Sequence, residues 1–171
     1  MPALMAVIGI AVAVADQASK AAVLANLEPG ETVPLIGDWF RLRLVFNSGA
    51  AFSLGEDYTW LFSLIQLAFV VVIAVVSFRI RHAGQAVGLA LIAGGALGNL
   101  IDRLFREPGF FLGHVVDFVS VGNFAIFNLA DSAITVGVVV FLAAMIFEGE
   151  PGGGEPEPGR PAEEGKEQVH K

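Results

Sequence analysis

The sequence predicts an all-α integral membrane protein: four transmembrane helices, with a small extracytoplasmic β-like excursion between the first and second. Three observations carry that prediction. Hydrophobic residues make up 55% of the 171-residue chain and charged residues only 16%, where soluble domains are about a quarter charged. Four apolar stretches, about 3–25, 58–78, 84–104 and 127–147, are each long enough to cross ~30 Å of hydrocarbon. The acidic residues behind the net charge of -7 crowd into the tail after Phe147, which leaves little charge elsewhere. That distribution argues against a nucleic-acid partner. Cysteine is absent, so disulfides, thiolate catalysis and cysteine-based metal sites are excluded. Residues 1–148 therefore read as one membrane domain, and 149–171 as a disordered acidic cytoplasmic tail rich in Pro, Gly and Glu.

The first helix runs through an uncharged segment, Met1 to Ala15, and then carries Asp16, Ser19 and Lys20 at i, i+3 and i+4, on one face. A cleaved signal peptide is the competing reading. It is disfavoured because no positive region precedes the apolar run and apolar character resumes at Ala21. Asn26 to Asp57 is the polar excursion, punctuated by Pro29-Gly30, Pro34 and Gly37. Within it, Phe40, Leu42, Leu44 and Phe46 alternate with Arg41, Arg43, Val45 and Asn47, the period of a half-buried strand. Trp39 and Phe40 suit the headgroup region, and the excursion is a candidate lid over a bound substrate.

The second helix is free of charge from Tyr58 to Phe78, with Thr59, Ser63 and Gln66 on a face expected to look inward. Arg79, Arg81 and His82 close it in a short positive loop, the mark of the cytoplasmic side. Both termini are then cytoplasmic, while the excursion and the His114 region lie outside. The third helix is rich in glycine, and Gly94 with Gly98 permits close approach of another helix. At its far end Asn99, Asp102, Arg103 and Arg106 share one face. The two arginines oppose the positive-inside rule, so they are expected to pair with Asp102 or to serve a site. Phe110 to Leu112 is expected to rest on the membrane. His114 to Ser120 reads as extended, Gly122-Asn123 as a turn, and the fourth helix carries Asn128, Asp131, Ser132 and Thr135 along one face.

The candidate chemistry sits in His114 to Gly137. Asp117 lies among Val115, Val116, Phe118 and Val119, and Asp131 opens an almost wholly apolar run. Carboxylates in such surroundings are costly unless paired, solvated or used. Asp131 also stands where a helix dipole favours negative charge, which offers a purely structural reason for it. Two adjacent carboxylates can share one proton, so that one activates water while the other protonates the carbonyl or the leaving amine. No cofactor and no metal are needed. His114 is the histidine nearest this cluster, and no second histidine or cysteine accompanies it.

The chain resembles the bacterial lipoprotein signal peptidase family, signal peptidase II. The matching blocks are DQASK at Asp16–Lys20, NSGAAFS at Asn47–Ser53, GGALGNLIDR at Gly94–Arg103, VVDF at Val115–Phe118 and FNLADSAI at Phe127–Ile134. The resemblance implies a four-helix inner-membrane aspartyl endopeptidase that removes signal peptides from prolipoproteins, on the amino side of a diacylglyceryl-modified cysteine. It implies Asp117 and Asp131 as the catalytic pair. Asp16, Lys20, Asn47, Asn99, Arg103 and Asn128 are implied to shape the site or hold the substrate. Lipid-modified prolipoproteins and membrane lipids are the implied partners, and globomycin the implied inhibitor. Family members often carry a tryptophan and a proline before the FNxAD block, where this chain has Asn123-Phe-Ala-Ile126. A transporter or proton relay remains the alternative, since intramembrane carboxylates also serve such proteins. It would spread its polar groups through the bilayer depth, whereas here they gather toward one end. A scaffold whose charges only lock the helices together is a further alternative.

Overall fold

A computed structural model describes residues 1–49 and 58–148. Ala50 to Ser53 of the NSGAAFS block, the remainder of the excursion to Asp57 and the tail 149–171 lie outside the described residues. The elements in chain order are α1 (Pro2–Asn26), β1 (Thr32–Ile36), β2 (Phe40–Asn47), α2 (Thr59–Val76), α3 (Ala83–Phe105), β3 (Val115–Val121) and α4 (Leu129–Glu148). All four helices are long and apolar enough to cross a membrane.

The bundle is organised around α3, which packs against α1, α2 and α4. Glycine makes this possible. A Cβ at Gly94 would come within 2.7 Å of the Gly9 carbonyl oxygen, and one at Gly88 within 2.6 Å of the Phe141 nitrogen. Gly95 lies as tightly against Ala130 and Ile134. Backbones approach this closely only where side chains are missing, the usual packing device inside a bilayer. The large apolar residues point the other way. Val7, Ile10 and Val14 on α1, Phe69, Val72 and Val75 on α2, and Val139, Leu142 and Ile146 on α4 are all exposed. The interior is small and polar while the perimeter is apolar, as expected where lipid is the solvent.

At one end of the bundle lies a three-stranded antiparallel sheet in the order β1-β2-β3. β1 is an element the sequence pattern leaves inside the polar excursion, because Pro34 interrupts it. It survives as an edge strand, where the missing N–H of proline is tolerated. The even alternation expected along β2 is broken. Leu42 pairs with Val119 and Val45 with Asp117, so three residues of β2 span two of β3. This bulge exchanges the faces of the strand. Leu44 turns into a core with Val23, Val116 and Phe118, Phe46 becomes exposed, and Asn47 comes onto the face of Asp117. After β3, Gly122 (φ 54°) and Asn123 turn the chain back. Phe127 then pairs with Val119 in both directions, the two bonds being 3.0 and 2.7 Å.

Candidate active site

The reversal at Gly122 lays Asn128 beside Asp117 and starts α4 there. Asn128 caps the helix: its Oδ1 accepts the Asp131 backbone N–H at 3.0 Å, and the Asp131 Oδ2 accepts the Asn128 backbone N–H at 3.2 Å. This is the reciprocal capping box, with aspartate in the place usually held by Glu or Gln. It accounts for α4 starting at Leu129, two residues beyond Phe127. The Asn128 Nδ2 meanwhile donates to the Asp117 Oδ1 at 2.7 Å and to the Asn99 Oδ1 at 3.0 Å. One buried residue thus bonds both candidate carboxylates, Asp117 through its side-chain amide and Asp131 through its backbone N–H. Asn47 Nδ2 donates to the other oxygen of Asp117 at 2.8 Å, and Asn99 Nδ2 to the Asp131 Oδ1 at 2.8 Å.

Beneath this pair lies a second layer. Lys20 is wholly buried and its Nζ reaches three acceptors: Asp16 Oδ2 at 2.7 Å, Asp102 Oδ2 at 2.7 Å and Asn99 Oδ1 at 2.8 Å. Asp16 in turn accepts the Ala130 backbone N–H at 2.9 Å, which ties α1 to the first turn of α4. Asp102 accepts Arg106 Nε at 2.6 Å, Gln17 Nε2 at 3.0 Å and the Val116 backbone N–H at 3.2 Å. Removing one partner from such a network leaves a charge stranded in low dielectric, a loss of several kcal/mol.

Asp16, Lys20, Asn47, Asn99, Arg103, Asn128, Asp117 and Asp131, singled out from the sequence, therefore meet at the sheet end of the bundle. Of the two arginines near the end of α3, Arg106 takes up the pairing with Asp102, and Arg103 turns to the other side. The Arg103 guanidinium lies 5.8 Å from the centre of the Phe62 ring and donates to the Ser48 carbonyl at 3.3 Å. It is near enough to interact electrostatically with Asp117, Asp102 and Asp131. Its buried Nε has no partner among the described residues. Three members of the network were not chosen from the sequence as site residues, Asp102, Arg106 and Gln17. Their spacing carried a signal, with Asp102 three residues after Asn99 and four before Arg106, and Gln17 next to Asp16. His114 is half-buried and its backbone N–H bonds to Glu107.

Burial pushes the Asp117 carboxyl up to about 6, and the charge of Asp131 adds to the rise. Hydrogen bonds from Asn47 and Asn128 oppose it without cancelling it. Across the cluster, Lys20, Arg103 and Arg106 face Asp16, Asp102, Asp117 and Asp131. The surplus is one negative charge, and a single proton held by the Asp117–Asp131 pair removes it.

Comparison with known proteins bears on the family and the fold. A family model described as "Signal peptidase (SPase) II" matches residues 8–147. A lipoprotein signal peptidase of Rhodococcus jostii is 46% identical over 150 residues, covering 88% of this chain and 76% of that protein. One from Streptomyces coelicolor is 48% identical over 127 residues, covering 74% and 62%. A third, from Mycobacterium tuberculosis, is 43% identical over 140 residues, covering 82% and 69%. A solved structure described as a bacterial membrane enzyme superimposes with a TM-score of 0.76 at 26% identity, over 90% of this chain and 94% of that one. Another so described gives 0.72 at 29% identity, over 84% and 93%. Matched from the first helix to the end of the fourth, with its polar network at one end of an apolar bundle, the chain belongs to the signal peptidase II family of membrane peptidases.

Proposed function

We propose that this protein is an aspartyl endopeptidase of the bacterial cytoplasmic membrane that removes signal peptides from diacylglyceryl-modified prolipoproteins, cleaving on the amino side of the lipidated cysteine. The observation that carries the reading is Asn128, whose side-chain amide donates to the Asp117 carboxylate and whose backbone N–H donates to that of Asp131 at the polar end of the bundle. Both termini are cytoplasmic and the site lies near the outer face, where a lipid-anchored substrate presents its cleavage bond.

Asp117 and Asp131 are the catalytic pair. Asp117, buried and holding its proton, is the acid, and Asp131 is the base. Asp131 takes a proton from water, the water oxygen bonds to the scissile carbonyl carbon, and Asp117 gives its proton to the carbonyl oxygen. In the second step Asp131 passes its proton to the leaving nitrogen, a hydroxyl proton of the intermediate returns to Asp117, and the C–N bond breaks. The products are a signal-peptide carboxyl and a free amine on the lipidated cysteine, and the pair regains its starting state. Asn47, Asn99 and Asn128 fix the carboxylates. Asp16 and Lys20 hold Asn99 and the start of α4 in register. Arg103 helps to shape the site and to position the substrate backbone. Globomycin-type cyclic peptides are expected to occupy the same site and inhibit.

The test is Asp117→Asn and Asp131→Asn, each assayed for cleavage of a diacylglyceryl-modified prolipoprotein in liposomes, with thermal unfolding followed in the same samples. Cleavage is expected to be lost in both while folding is kept. Retained cleavage in either variant removes that residue from the mechanism.

A further inference from the structure

A cavity of about 620 Å³, to which neither Asp117 nor Asp131 contributes, has Leu24, Phe46, Phe105, Arg106, Glu107 and His114 in its lining. It opens where two membrane-spanning helices end: Leu24 is in the last turn of α1, and Phe105 is the last residue of α3. Phe105 and the nearby Phe110 are 76% and 70% exposed, an aromatic rim of the kind that sits at the headgroup level of a bilayer. The exposed Phe46 ring lines the cavity from the sheet.

Three groups in the lining have bonding capacity to spare. Arg106 gives its Nε to Asp102 at 2.6 Å, and its Nη2 stands 3.5 Å from Gln17 Oε1, the outer limit of a hydrogen bond. Its Nη1 has no partner among the described residues. The exposed Glu107 carboxylate and the half-buried His114 imidazole are also unpartnered among those residues. Both are fixed on one wall, because the His114 backbone N–H bonds to the Glu107 carbonyl at 3.0 Å.

An anion alone would meet the Glu107 carboxylate as well as the arginine, and a hydrocarbon alone would use none of the three polar groups. A phosphodiester that carries a nearby ammonium fits both signs. The phosphate takes N–H donors from Arg106 and His114, and the ammonium donates to Glu107. Acyl chains attached to it run down over Leu24 and Phe105 into the bilayer. We propose that this cavity binds a membrane phospholipid with a phosphoethanolamine headgroup, at a site separate from the catalytic pair. Arg106 then bonds Asp102 on one side and the phosphate on the other, so the bound lipid braces the end of α3.

The experiment titrates the full chain in detergent with phospholipids of identical acyl chains and counts bound lipid by native mass spectrometry. Phosphatidylethanolamine is expected to bind roughly tenfold tighter than phosphatidylglycerol, the worth of one ammonium–carboxylate hydrogen bond. Phosphatidylcholine, whose quaternary ammonium has no N–H to give, is expected to bind no tighter than phosphatidylglycerol. Glu107→Gln should level the preference and Glu107→Lys reverse it, and both should fold, since that side chain is exposed and bonds nothing among the described residues. Asp38→Lys makes the same change of charge at an exposed position outside the cavity and should leave the preference as in the parent. Equal binding of the ethanolamine and glycerol lipids by the parent, or the same shift in both lysine variants, would overturn the assignment. So would glycerophosphoethanolamine, the headgroup without acyl chains, if it bound as tightly as the lipid.

Discussion

Asp117 is nearly inaccessible, yet it sits on a strand at the sheet end of the bundle, and its raised carboxyl has two measurable consequences. The folded protein binds this proton more tightly than the unfolded chain does. Stability is therefore expected to fall as pH rises from the ordinary carboxylate value of 3.8 to about 6, and to stay level with respect to this group above that. The contribution is about 3 kcal/mol, and Asp117→Asn should remove that share of the slope in unfolding curves taken across that window. Cleavage should follow the same proton. As pH climbs through about 6 the acid form is lost and kcat/KM should decline, along a limb that belongs to the pair and not to one residue. A pH–rate profile flat from 5 to 8 would contradict the acid role. Asn128 has two jobs that can be separated. Asn128→Ser keeps a good helix cap but removes the amide that reaches Asp117. Cleavage should drop roughly 10- to 100-fold, the worth of one hydrogen bond to the Asp117 carboxylate once it has given up its proton, and stability should fall by about 1–3 kcal/mol, because Asn99 and Asp117 each lose a buried donor.

Elements differ in how openly the sequence announces them. α2 was legible because a charge-free, mostly apolar stretch from Tyr58 to Phe78 admits little else in a bilayer. The blocks around Asp117 and Asp131 were legible because carboxylates among valines and phenylalanines need a reason. β1 was hidden because Pro34 breaks a strand pattern that only an edge position excuses. The β2 bulge was hidden because it is a property of the pairing with β3, and it decides that Asn47, and not Phe46, meets the site. Asp102, Arg106 and Gln17 escaped selection because spacing tells which residues share a helix face, not which face meets which. The glycines of α3 are the device that joins the faces. Gly95→Val would drive side-chain carbon into the Ala130 carbonyl and Ile134. It should destabilise by about 1–3 kcal/mol or more and disturb the first turn of α4, where Asp131 sits. Unfolding in detergent and the cleavage assay should therefore fall together.

At the scale of the whole molecule, the orientation proposed above can be checked directly, because a cysteine-free chain needs no background removed. Asp38 and Arg81 are both exposed, one beside the sheet and one in the loop between α2 and α3. In intact spheroplasts, Asp38→Cys should react with a membrane-impermeant maleimide, and Arg81→Cys only after permeabilisation. The reverse pattern would invert the topology and place the site on the cytoplasmic side.

The buried ion pairs also bear on how such a chain gets into a membrane at all. α1 carries Asp16 and Lys20 four residues apart, and α3 carries Asp102, with Arg106 at the same interval just past the helix end. Each helix therefore brings its own counter-ion, and each can leave the insertion machinery without waiting for the other to be synthesised. Only after both are in the lipid does Lys20 reach across to Asp102. The bond that completes the polar network is then a late step of assembly, and a chain released before α3 is made is still a tolerable guest of the bilayer.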